Sequence, residues 1–205
     1  MPKFVAEFLG TFFLVLAIGL SGNAVATGLF VVALVYIAGR ISGAHFNPAI
    51  TLAFWASRGI SLKIVGGYLC SQLAGAILGA MAVFFLSESA YQVTPPPLST
   101  PTQVTLIEMA LSLLLSLVYL TLFLSSEFRE NRIYGIAIGL SYAGLFVVGE
   151  PVSGGFFNPA LAAGASIADY IDHGTSWIYL PVYLIAPALG GILAGHLYNY
   201  FERNS

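Results

Sequence analysis

The chain has 205 residues, 58% of them hydrophobic, with 7 Lys and Arg, 9 Asp and Glu and a formal net charge of −2; its mean hydropathy is +0.89. Soluble domains carry about 25% charged residues, against 8% here. That shortage excludes a water-soluble globule, a disordered chain and a nucleic-acid binder with a basic face. Lipid accounts for it, because a bilayer tolerates few charges and takes about 20 apolar residues per helical span.

In chain order, apolar stretches long enough to span run at about 4–21, 25–41, 62–86, 103–124, 132–148 and 176–200. They lack the alternation of barrel strands, so the pattern predicts an all-α membrane protein with six transmembrane helices. The first stretch, from Lys3 to Ala24-Val25-Ala26, has the outline of a cleavable signal peptide. Glu7 interrupts that outline, and the internal repeat needs the stretch as its first helix. Cys70 is the only cysteine, which excludes an intramolecular disulfide; it reads as a small packing residue. After the second and fifth spans come shorter apolar pieces, 47–57 and 158–168. As helices these would be about 15 Å long, half of a ~30 Å hydrocarbon core. Pro95-Pro96-Pro97 cannot continue a helix, so 91–101 reads as a connection between a first half, 1–90, and a second, 102–205, in one structural domain.

The halves repeat. Ser42-Gly43-Ala44-His45-Phe46-Asn47-Pro48-Ala49 matches Ser153-Gly154-Gly155-Phe156-Phe157-Asn158-Pro159-Ala160 at six of eight positions. Tyr68, Gly75 and Ile77-Leu78 recur as Tyr183, Gly190 and Ile192-Leu193, and Glu7 recurs as Glu108. Three spans per half make the second half enter the membrane from the opposite side, an inverted repeat with its site at the midplane. Lys3, Arg40, Arg58, Lys63, Arg129, Arg132 and Arg203 all fall on one side of that topology, together with Glu127, Glu130 and Glu202. The positive-inside rule makes this side, with both termini, cytoplasmic. Glu88, Glu150, Asp169 and Asp172 fall on the other side and predict an outer mouth of negative potential.

A single Asn-Pro is an ordinary helix start, with Asn as cap and Pro just inside it. Two copies, each opening a half-length helix in opposite halves, say more. With the Ala6-Glu7-Phe8-Leu9-Gly10-Thr11 start, the Ser-Gly approach to each box and Glu108 in the fourth span, the whole chain resembles the aquaporin, or major intrinsic protein, family. The resemblance implies that Asn47, Pro48 and Ala49 meet Asn158, Pro159 and Ala160 tip to tip at the midplane, beside a single-file pore for water or small neutral solutes. It also implies a homotetramer in a cell membrane, no cofactor or metal and no catalysed reaction. Helix N-termini carry partial positive charge, and in aquaporin-type pores such ends are known to oppose protons and cations. Gly43, Ala44 and Gly154 would line the wet approach, and His45 would order the loop or face the pore, having no second metal ligand at suitable spacing. Glu7 and Glu108 would each brace the loop of their own half, since a carboxylate in a span requires a partner. Gly75-x-x-x-Gly79, Gly135-x-x-x-Gly139 and Gly191-x-x-x-Gly195 read as close helix contacts inside one bundle.

The family's filter positions fall on Thr27, Phe146, Gly155 and Leu161 by counting back and forward from the two boxes. Water- and glycerol-type filters alike use an Arg where Leu161 stands. The resemblance therefore implies a constriction without fixed charge, unless a backbone carbonyl or a residue of the loop between the halves replaces that Arg. Two other classes remain open at this point. One is a proton-coupled secondary transporter using Glu7 or Glu108. The other is a non-conducting membrane scaffold closed by Phe146 and Leu161.

Overall fold

The computed structural model describes residues 1–128 and 131–204; Arg129 and Glu130, placed above on the basic side, lie outside the described residues. The described residues form eight α-helices and no strand: α1 Pro2–Ser21, α2 Ala24–Ser42, α3 Pro48–Ala56, α4 Leu62–Ser87, α5 Pro101–Leu124, α6 Tyr134–Ser153, α7 Pro159–Ile171 and α8 Leu180–Asn204. The all-α expectation holds, and six of the helices are long and apolar enough to cross a bilayer. Their outward faces carry large bare side chains such as Ile37, Phe85 and Leu140. In water such a surface would be a liability, whereas in lipid it is the solvated one.

Local chemistry sets the helix ends. Asn23 caps α2 by accepting from the Ala26 N–H, and Thr100 with Gln103 forms a capping box around Pro101, which opens α5. Gly22, Gly43 and Gly154 end α1, α2 and α6 in the left-handed conformation. In each half the first and third spans pack together, α1 on α4 and α5 on α8, while α2 and α6 join the halves. The two short helices cross over, α3 onto α8 and α7 onto α4.

Three expectations need correction. The second short helix does not stop near 168 but runs to Ile171. Asp169 is therefore not an outer-surface charge. It is buried on α7, and its Oδ2 accepts from the Ser176 N–H at 2.8 Å, pinning the return turn. The fifth span continues past 148 to Ser153, with Pro151 inside its last turn, and ends only at the left-handed Gly154. Cys70 is exposed on the outer face of α4 instead of packing inside.

Candidate pore site

Asn47 and Asn158 each do two jobs. Asn47 Oδ1 accepts from the Ala49 N–H at 2.8 Å, and Asn158 Oδ1 accepts from the Ala160 and Leu161 N–H groups at 3.0 and 3.3 Å. Each side chain thus caps its own half-helix. At the same time Asn47 Nδ2 donates to the Phe157 carbonyl at 2.9 Å, and Asn158 Nδ2 donates to the Phe46 carbonyl at 3.0 Å. This reciprocal pair locks the N-terminal tips of α3 and α7 against each other. Each amide keeps a second N–H that these bonds do not use.

The chain reaches those tips through strained backbone. Ala44 and Phe46 hold φ near 50°, and Phe157 holds 28°; non-glycine residues adopt such values only where the surroundings fix them. Glu7 and Glu108 do the fixing, and both are fully buried (0% exposed). Glu7 accepts from Ser42 Oγ at 2.6 Å, the His45 N–H at 3.0 Å, the Phe46 N–H at 2.7 Å and Gln72 Nε2 at 2.7 Å. Glu108 accepts from Ser153 Oγ at 2.6 Å and the Phe156 and Phe157 N–H groups at 3.1 and 2.6 Å. Ser42 and Ser153 in turn accept from the Ala44 and Gly155 N–H groups. Tyr68 and Tyr183 complete the repeat by donating to the Ser42 and Ser153 carbonyls.

His45 orders its loop. Buried between the rings of Phe54 and Tyr68, it places Nδ1 3.1 Å from Thr51 Oγ1. Phe156 takes the equivalent place against Tyr183 and Tyr91. The Ala44 carbonyl, expected to face the approach, accepts from the Tyr119 hydroxyl at 3.0 Å. Gln72, Thr51, Ser112 and Tyr119 were not singled out from the sequence. Only the Tyr68–Tyr183 pair was visible there, through the repeat.

Of the four filter positions the structure brings Phe146 and Gly155 together. A β-carbon at 155 would lie 2.7 Å from the Phe146 ring, and φ there is +69°, so the position takes glycine only. Leu161 is buried in the first turn of α7. Thr27 is buried on α2 with no partner for its hydroxyl, beside Gly28, which contacts Gly139 and Ala143 of α6. The loop between the halves reaches this end through Tyr91. Burial and then the Glu150 carboxylate push the Tyr91 phenol above its ordinary pKa, so the loop offers a neutral hydroxyl and no cation. At the opposite end a cavity of about 1020 Å³ opens among Tyr36, Arg40, Phe123, Phe128, Arg132 and Tyr134. No group of His, Cys, Asp and Glu that could hold a metal occurs among the described residues.

The major intrinsic protein family model matches residues 16–198. Nodulin-26 of Glycine max is 32% identical over 97% of this chain and 77% of its own length. Glycerol uptake facilitator protein-like 6 of Lactiplantibacillus plantarum is 34% identical over 95% of each chain. The X-ray structure of the aquaglyceroporin from Plasmodium falciparum superposes with a TM-score of 0.86 at 24% identity, covering 97% of this chain and 95% of that one. The chain belongs to the major intrinsic protein family, whose members are membrane channels and not enzymes.

Proposed function

We propose that the chain conducts water and small neutral solutes passively, in single file, past the joined tips of α3 and α7. The observation that carries this reading is the reciprocal bond pair between Asn47 and Asn158 and the Phe157 and Phe46 carbonyls. It brings two helix N-termini and two spare amide donors to one point, which the inverted six-span topology would put at the midplane. Neutral acceptors are welcome there, and cations meet the positive ends of both helices. The relatives' names, a glycerol uptake facilitator and an aquaglyceroporin, agree with a small neutral solute. The one-sided basic residues support cytoplasmic termini in a cell membrane, and the family likeness supports a homotetramer with one pore per subunit.

The proton-coupled reading fits the geometry less well. Both carboxylates are fully buried and taken up by donors of their own half. Reconstituted vesicles separate the classes. A channel shrinks them quickly, with low activation energy and no dependence on a proton gradient; gradient dependence indicates the transporter, and bare-lipid rates indicate the scaffold.

Leu161 supplies a second test. Leu161→Arg is expected to put a fixed cation and a fork of donors in the first turn of α7 and to change the water-to-glycerol permeability ratio by about tenfold, the scale of one added hydrogen-bonding group. A ratio equal to that of the parent would show that position 161 does not set selectivity.

A further inference from the structure

Resting on the channel reading above, we infer that Tyr142 is a further size- and polarity-determining residue of the pore, and that it holds back solutes as broad as glycerol.

Helices α2 and α6 run antiparallel. Gly28 lies against Ala143 and Gly139, and Gly135 against Tyr36. Phe146 meets Gly155 at one end of this crossing, and Tyr142 lies one helical turn, about 6 Å, further in on the same face of α6. Val31, also buried, lies one turn in from Thr27 on the same face of α2.

The Tyr142 ring sits 4.9 Å from that of Phe157, tilted by 58°. Phe157 is the residue whose carbonyl accepts from Asn47, so Tyr142 stands at the level of the asparagine pair. Its hydroxyl is buried and has no partner, unlike that of Tyr119, which donates to the Ala44 carbonyl. A buried hydroxyl without a partner requires an explanation, and a passing solute supplies one. The solute would accept from the Asn amides and exchange a bond with the phenol.

The passage at this level is tight. Asn158 and Phe157 are 0% exposed and Tyr142 only 4%, so a water-sized sphere barely reaches them. Thr27 and Leu161, at 0% and 1%, are no more accessible. Tyr142 is bulkier than Thr27, Val31, Phe146 or Leu161, all of them buried, so shortening it removes the most volume.

The test uses the full chain in phosphatidylcholine–phosphatidylglycerol vesicles, with Tyr142→Val and Tyr142→Phe. Water permeability is read from shrinkage in sucrose and glycerol permeability from iso-osmotic swelling. Tyr142→Val is expected to raise the glycerol-to-water ratio by at least about tenfold. Tyr142→Phe keeps the ring, and with it the packing, and is expected to hold glycerol out while slowing water by about tenfold, the effect of one lost hydrogen bond. An unchanged ratio in folded Tyr142→Val overturns the inference, as does parental water permeability in Tyr142→Phe. A silent parent with a conducting Tyr142→Val overturns the open-channel reading and supports Tyr142 as the narrowest point. Silence in all three folded proteins overturns both.

Discussion

Glu7→Ala is expected to leave no stable protein in detergent, and Glu108→Ala to be the milder loss. The carboxylate of Glu7 receives four donors, and two of them are the backbone N–H groups of His45 and Phe46. Side chains such as Ser42 and Gln72 can turn toward other partners, but the backbone donors cannot. Each buried donor left unpaired costs about 1–3 kcal/mol, and four together come close to the ~5–15 kcal/mol that holds an ordinary domain. The loss also releases the left-handed backbone at Ala44 and Phe46, so the capping geometry of Asn47 goes with it.

The second half differs in one donor. Counting from the Tyr68–Tyr183 pair, Gln72 corresponds to Pro187, which has no side-chain donor. Glu108 therefore holds three donors, and its removal is expected to lower the melting temperature less. Glu7→Gln should fall between parent and Ala, because its amide nitrogen meets donors where an oxygen accepted. Melting of the purified variants, followed by fluorescence-detected size exclusion, checks the order. A Glu7→Ala protein that melts like the parent but loses gradient-driven flux would instead mark a proton carrier.

Much of this site was legible because the sequence states it twice. Asn47 and Asn158, Glu7 and Glu108, and Tyr68 and Tyr183 are repeated pairs, and each turns out to make the same bond in each half. What was not legible breaks the symmetry. Gln72 had no polar counterpart to flag it, and Tyr142 reads as one more aromatic in an apolar helix until its hydroxyl is found unpartnered. The end of α7 was misplaced because Asp169 looks like an outer-surface charge. Its role as an acceptor for the Ser176 N–H depends on a turn seven residues on, which composition does not reveal. Filter positions were reached only by counting. The structure sets Phe146 against Gly155, a contact that counting along the chain does not reveal.

Gly191→Ala is expected to destabilise the protein by about 1–3 kcal/mol, the scale of an overpacked contact, and to silence the pore, whereas Gly66→Ala is expected to be harmless. Both glycines lie inside long helices, where alanine is intrinsically the better residue by about 1 kcal/mol. Propensity alone therefore predicts a gain at both positions. Packing reverses the sign at one of them. A β-carbon at 191 would stand 2.1 Å from the Ala49 carbonyl oxygen, and one at 195 would stand 2.5 Å from that of Ala53. The small-residue motif of α8 is thus a seat for the half-helix α3, with backbone carbonyls resting where side chains would be. Backbone cannot swing aside as a side chain does, so α3 would have to retreat by over an ångström. Ala49 is in the first turn of α3, and its N–H is the donor that Asn47 caps. A retreat there pulls Asn47 away from the Phe157 carbonyl, and the two tips separate. At Gly66, on α4, a β-carbon meets nothing within 4 Å. Paired thermal melts and vesicle shrinkage for the two substitutions decide the matter. If Gly191→Ala matches Gly66→Ala in both, the seat is not rigid, and the half-helix is held by its asparagine and carboxylate bonds alone.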